Sequence, residues 1–191
     1  MRHFFAYLHR MKYILRWNLM KNTSSENLQE HSLQVAVLAH ALALIANRLY
    51  GGTVDPEQTA TIALFHETSE TITGDLVSPI KYFNPEIRDA YQKIEHVAKQ
   101  RLLNMLPNEL KDDYRGILFP NARSEEYRLV KAADKIGAYI KCLEEIRAGN
   151  SEFSRAKVKI ERDIEALDCA PADYFMRTFV PSYDLTLDEL N

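Results

Sequence analysis

Residues 59–75, TATIALFHETSETITGD, decide how this chain folds and where its chemistry lies. Asp55 is a good N-cap and Pro56 suits the first helical position, while Gly74 suits the stop. The segment therefore reads as one helix from Pro56 to about Thr73. Positions i, i+1 and i+4 fall on one flank of a helix. His66, Glu67 and Glu70 then project together, beside Ala60 and Ala63, whose small side chains leave room. One imidazole and two carboxylates on one flank suit a divalent cation with a general acid or base. A solvated polar helix face has the same composition, so the segment alone leaves both readings open.

Upstream, residues 28–50 form the clearest helix. Asn27 and Glu30 spell a capping box, and Gly51-Gly52 supplies the stop. Leu28, His31, Val35, Leu38, Leu42, Ile45 and Leu49 recur at spacings of three and four, which places His31 in the buried stripe. A buried imidazole needs a partner for each ring nitrogen, either a core hydrogen bond or a ligand bond. Downstream, Ser124 caps a helix over roughly 125–148 with Leu129, Ala133, Ile136, Ile140 and Leu143 on its apolar face. Asp134 sits at the edge of that face, where a carboxylate is costly unless paired or bound to a cation. Lys131 and Lys135 are the neighbouring partners for an ion pair.

The first residues carry Phe4, Leu8, Met11 and Leu15 at helical spacing, so a helix is predicted over 3–15, ending at Arg16-Trp17. Arg2, Arg10, Lys12, Arg16 and Lys21 all precede the first acid, Glu26. Such a start reads as a solvated face, a presequence, or a surface that meets an anion. Arg16 beside the only Trp offers a forked donor for phosphate and a flat surface for a base. After the central helix, residues 74–84 read as an ordered loop, with Lys81-Tyr82-Phe83 placed to close over a pocket. Further helices are predicted from Asn84-Pro85 to about Leu106, in 107–123, and over 152–168. Thr186 with Glu189 suggests a last capped turn.

Composition narrows the function. With 191 residues, one compact domain with a real core is expected. Six glycines and no GxGxxG or GxxxxGK[ST] argue against a Gly-rich phosphate loop. The net charge of −3 argues against a nucleic-acid polymer as partner. No apolar run approaches the ~20 residues of a membrane span, so no membrane partner is expected. Cys142 and Cys169 form no CxxC, which fits a reducing, cytoplasmic compartment. No alternating strand stands out, so the fold is expected to be all-α.

His31, the His66/Glu67/Glu70 cluster and Asp134 each place a polar group toward the interior, and together they form a mixed N/O set suited to a divalent metal. In this order the chain resembles the HD-domain metal-dependent phosphohydrolases, and most closely their bacterial 5′-deoxynucleotidase branch. The matching motifs are HFFAYLHRMKYILRW, ENLQEHSLQVA, FHETSETITGDLVSPIKYFN, VKAADKIGAYIKCLEE, AGNSEF and DYFMRTFVPSYDLTLDE, spanning nearly the whole chain. The resemblance implies a single-domain, HD-type helical bundle of about six to eight helices. It implies metal ligands His31, His66, Glu67 and Asp134, with Glu70 as the catalytic acid or base. Arg16 would act on the phosphate, and Trp17, His31, Asp75, Leu76, Val77 and Ser78 would line the nucleotide site. The family removes the 5′-phosphate from deoxyribonucleoside monophosphates, is typically dimeric, and uses cobalt or manganese, with zinc, magnesium or copper also compatible.

One position departs from the pattern: the doublet is His66-Glu67 where the superfamily has His-Asp. Glu keeps the charge and the oxygen ligands on an arm one methylene longer, which must still reach a metal at about 2.0–2.2 Å. Two rival readings follow. His66-Glu67-x-x-Glu70 echoes the HExxH zinc-peptidase pattern, with Glu67 as base and His31 and Asp134 unexplained. Alternatively, the Glu67 change leaves a nucleotide sensor that binds without turnover.

Overall fold

In a computed structural model the chain is described over residues 2–81 and 83–190; Tyr82 and the side chain of Ser78 lie outside the described residues. The described residues form α-helices, short 3₁₀ turns and no strand, as expected. The helices are α1 (Phe4–Leu8), α2 (Leu28–Leu49), α3 (Pro56–Leu64), α4 (Glu70–Thr73), α5 (Ser78–Lys81), α6 (Pro85–Asn104), α7 (Asn108–Leu118), α8 (Glu125–Arg147), α9 (Ser154–Glu165) and α10 (Ala170–Thr178). Among the described residues these are ten segments rather than six to eight, because α1, α4 and α5 are one-turn pieces of five, four and four residues.

The capping chemistry read from the sequence is present. Asn27 Oδ1 accepts from the Gln29 and Glu30 backbone N–H groups at 3.0 Å, and Glu30 returns the bond to the Asn27 N–H at 3.1 Å. The Asp55, Asn84 and Ser124 side chains each accept one backbone N–H at the start of α3, α6 and α8, without the returned bond. Gly51 leaves α2 at φ +69°, a region that favours glycine. By length and composition α2 is apolar enough to cross a membrane, which the sequence reading missed. Half of its apolar window is nevertheless buried inside this fold, as in the core helix of a packed bundle. Val35, Leu38, Leu42 and Ala43 are each at most 3% exposed and pack with Ile62, Leu129, Ala133, Ile136 and Ile140. A second cluster joins Phe4 to Leu102, Leu103, Leu106 and Leu118.

Two predicted helices are broken, and both breaks shape the site. The helix predicted from Pro56 to Thr73 stops at Leu64 and restarts at Glu70. Between them the backbone tightens to three-residue bonds, Phe65 N–H to Ile62 O, His66 to Ala63 and Thr68 to Phe65. Side chains drive this. His66 Nδ1 lies 2.6 Å from Ala63 O, and the Thr68 and Thr71 hydroxyls donate to Phe65 O and Thr68 O. Hydroxyl and imidazole groups that occupy backbone carbonyls compete with the helix. The N-terminal helix ends earlier than predicted, passing into a 3₁₀ turn at His9–Tyr13. Residues 14–16 then run extended beside 26–28, with Arg16 N–H to Glu26 O at 2.9 Å and Leu28 N–H to Ile14 O at 3.0 Å. Arg16 and Trp17 therefore stand on a clamped loop, not on a helix end.

Candidate active site

The site is the point where α2, the α3–α4 junction and α8 meet. α2 contributes His31, the junction His66 and Glu67, and α8 Asp134; one ligand atom from each lies within 4.8 Å of the others. His31 Nε2 is 3.1 Å from Asp134 Oδ1, and His66 Nε2 is 3.3 Å from Glu67 Oε1 and 3.8 Å from Asp134 Oδ1. Asp134 thus bonds across to α2; of its two expected local partners, Lys135 turns to Asp163 at 3.4 Å, and Lys131 acts on Asp134 only at longer range. Glu67 reaches the cluster despite its longer arm. His31 and Asp134, left over in the peptidase-like reading, complete it.

The donor set fits a divalent cation. His66 Nδ1 gives its proton to Ala63 O, which leaves Nε2 to face the cluster; Nε2 is buried there and has no well-formed hydrogen bond. Two imidazoles and two carboxylates are the ligand types of a catalytic zinc-like or related centre. The electrostatics agree. Burial opposes charge on Asp134 and Glu67, yet the His31 bond to Asp134 and the His66 charge beside both carboxylates hold them well below their usual range. Burial also opposes a charged His66, but Glu67 and Asp134 raise it to about 9. A pocket that binds a proton this firmly is one that a cation can take over, with release of that proton.

Glu70 opens α4 and is 4% exposed. Burial and the Glu67 charge push its carboxyl up to about 11, so it carries a proton, and its Oε2 is buried without a hydrogen-bond partner. A buried polar atom left without a partner is costly, and such atoms mark sites with a further occupant.

Arg16 approaches from the other side. Its Nη1 donates to Glu26 Oε2 at 2.7 Å and to His31 Nδ1 at 2.6 Å. Burial opposes its charge and Glu26 restores it. Glu26 is the residue that sequence reasoning missed; the sequence marks it only as the first acid after a basic start. It holds Arg16 twice, through its side chain and through its backbone carbonyl. Glu26→Gln should leave the fold intact and lower kcat/KM by tenfold or more, because a hydrogen bond to a charged group contributes about 1.5–3 kcal/mol. Steady-state kinetics on the purified variant would check this.

Trp17 follows at φ +58°, in the left-handed region that costs a non-glycine residue about 1–2 kcal/mol. It is held there by Phe153, with ring centroids 5.3 Å apart, and by Asn22, whose amide donates to Trp17 O at 3.1 Å. Gly74, at φ +73°, turns the chain from α4 toward Asp75. The Asp75 carbonyl accepts from Asn18 at 3.4 Å, and its carboxylate is raised by burial against the opposing pull of Arg16. Leu76 and Val77 are half-buried in the loop that follows. The structure thus gathers the four candidate ligand residues, Glu70 and Arg16 around one point, with Trp17 and Asp75 at its margin.

A family model described as "5'-deoxynucleotidase YfbR-like" matches residues 3–183. A 5′-deoxynucleotidase of Vibrio cholerae is 55% identical over 99% of this chain and 98% of its own length. One from Shewanella oneidensis is 52% identical over 100% of this chain and 98% of its own. The fold is also that of an HD-domain phosphohydrolase from Listeria innocua, with a TM-score of 0.83 at 22% identity over 95% of this chain and 88% of that one. A cyanophage S-2L HD phosphohydrolase, solved with dA and one catalytic Zn²⁺, aligns with a TM-score of 0.67 at 19% identity over 95% and 96%. With its metal-type cluster, its all-α fold and near full-length identity above one half, the chain belongs to the YfbR-like 5′-deoxynucleotidase family of HD-domain phosphohydrolases.

Proposed function

We propose that this protein is a metal-dependent phosphoric monoester hydrolase that converts deoxyribonucleoside 5′-monophosphates to deoxynucleoside and phosphate. The observation that carries this reading is the convergence of His31, His66, Glu67 and Asp134 within 4.8 Å, with protonated Glu70 beside them and Arg16 opposite. These four residues would hold the cation, which when bound supplies Lewis acidity toward a phosphate oxygen and acidifies water. We read its identity as cobalt or manganese; zinc is what the phage phosphohydrolase contains.

Each remaining step belongs to the protein. Arg16 neutralises charge on the phosphoryl oxygens as it develops. Glu70 orients the attacking water and, in its ionised form, takes its proton; a cation held by the neighbouring residues would favour that form. His31 now accepts from Arg16 at Nδ1, so Nε2 carries the ring proton toward Asp134. Were Nε2 to hold a cation, the ring proton would sit on Nδ1, which faces Glu26 Oε1 at 3.9 Å. Arg16 would then be released from Nδ1 toward the substrate. Trp17, Asp75, Leu76, Val77 and Ser78 would shape the sugar and base pocket and disfavour a 2′-hydroxyl.

The free thiols of Cys142 and Cys169 support a cytoplasmic setting. Exposed Leu33, Val37 and Leu44 along the outer side of α2 support a homodimer, which sedimentation would test.

The activity is tested by phosphate release from dAMP, with AMP alongside, after the protein is stripped of metal and given cobalt, manganese, magnesium or zinc one at a time. Release should be absent without metal, return with cobalt or manganese, and favour dAMP. Nucleotide-dependent thermal stabilisation with no release under any metal would transfer the protein to the sensor reading.

A further inference from the structure

The segment AGNSEF, residues 148–153, follows α8 and contributes no group to the metal-type cluster. It meets the loop that carries Arg16 and Trp17 at three points. The Asn150 amide donates to Lys21 O at 2.6 Å, and the Lys21 N–H donates to Glu152 Oε1 at 3.3 Å. The Phe153 ring stands 5.3 Å from the Trp17 ring, tilted by 58°. Phe153 ends the 3₁₀ turn Ser151–Phe153 and is fully buried. The buried Lys141 ammonium lies over the same ring at 5.8 Å, so Phe153 is itself held from α8.

Arg16 and Trp17 are neighbours in sequence but have separate supports. Arg16 lies over the Trp17 ring at 5.9 Å, yet Glu26 fixes it through a side-chain bond and a backbone bond. Trp17 relies on Phe153 and on Asn22, whose amide also donates to Met20 O at 2.9 Å. Without these supports a φ of +58° gives way to the extended or right-handed conformations that an L-residue prefers, and the indole swings with it. The indole Nε1 is buried with no hydrogen-bond partner, and such a donor is costly unless a ligand meets it. A pocket wall tells a hydroxyl from a hydrogen only while the residues behind it hold it in place to within about 0.5 Å.

We propose that Phe153 and Asn22 are positioning residues: by holding Trp17 in its left-handed conformation, they set how strongly the site prefers a deoxyribose to a ribose. Their effect on sugar choice rests on the deoxynucleotidase reading; their hold on Trp17 does not.

Trp17 is the only tryptophan in the chain, so its emission reports its own position. The test compares the intact parent with Phe153→Leu, with Asn22→Ala and with a control, Phe175→Leu, which truncates a buried phenylalanine of α10. Emission is read on zinc-loaded protein and kinetics with the most active metal. In Phe153→Leu and Asn22→Ala the emission should move to longer wavelength and acrylamide should quench it more, while the control matches the parent. The ratio of kcat/KM for dAMP to that for AMP should fall by about fivefold or more in Phe153→Leu, in the same direction in Asn22→Ala, and not in the control. The kcat for dAMP should stay within about twofold, because Arg16 keeps its own support. Unchanged emission and quenching in the folded variants would overturn the hold on Trp17. An unchanged ratio would overturn the link to sugar choice, and so would an equal fall in Phe175→Leu, since general loosening would then be the cause. If Phe153→Leu does not fold, Asn22→Ala decides by the same two readouts. Absence of phosphate release from the parent would be a failure of the hydrolase reading alone; dissociation constants for dAMP and AMP, read from Trp17 quenching, would then decide sugar preference in the same comparison.

Discussion

Glu70→Ala should keep its metal and lose its turnover. General acid–base groups contribute about 10²–10⁴ in rate, and kcat is expected to fall by that factor. Metal content measured on the purified variant should match the parent, because Glu70 stands outside the four-residue cluster. His66→Ala is the contrasting case, losing the cation and the activity together. Glu70→Gln separates charge from shape, since it keeps the volume and a hydrogen-bonding group but cannot take a proton. It should be as inactive as Glu70→Ala and fold as well as the parent. Equal loss of metal and turnover in Glu70→Ala would end the division of roles between ligand and base.

The largest expected effect on stability lies away from the chemistry. Lys141 and Glu145 are 3% and 1% exposed, four residues apart on α8, and form an ion pair inside the fold. Glu145 also accepts from the Thr23 N–H at 2.9 Å, the Thr23 hydroxyl at 2.7 Å, the Ser24 N–H at 3.2 Å and the Asn150 amide at 2.8 Å. Lys141 donates to Ser24 O at 2.5 Å. This network fastens the loop carrying Arg16 and Trp17 to α8. Glu145→Ala leaves Lys141 charged, buried and unpaired, along with the orphaned N–H groups of Thr23 and Ser24. A loss of about 3–5 kcal/mol is expected, read from denaturant unfolding. A Lys141→Met/Glu145→Leu double variant should recover part of it, because no lone charge remains inside.

The same group sets a pH dependence. Burial works against the Glu145 charge, but the Lys141 bond and the Thr23 and Asn150 donors outweigh it, so its carboxyl sits far below its ordinary value of 4.5. A depressed carboxyl contributes its stability above the unfolded pKa and loses it as pH falls toward the folded one. The parent should therefore weaken in acid below about pH 4.5 more steeply than the double variant.

What the sequence determined by itself was the part written in local chemistry. The capping groups Asn27, Asp55, Asn84 and Ser124 and the spacing of Leu28, His31 and Val35 were enough for the long helices and for the burial of His31. The two His and three acidic positions were visible as awkward polar residues on apolar faces, and the motif order linked them to a family. Tertiary structure decided the rest. The break between α3 and α4 depends on side chains taking backbone carbonyls, a competition that periodicity does not encode. The place of Glu26 depends on residues 14–16 pairing with 26–28, and the role of Glu145 on a loop more than 120 positions away in the chain.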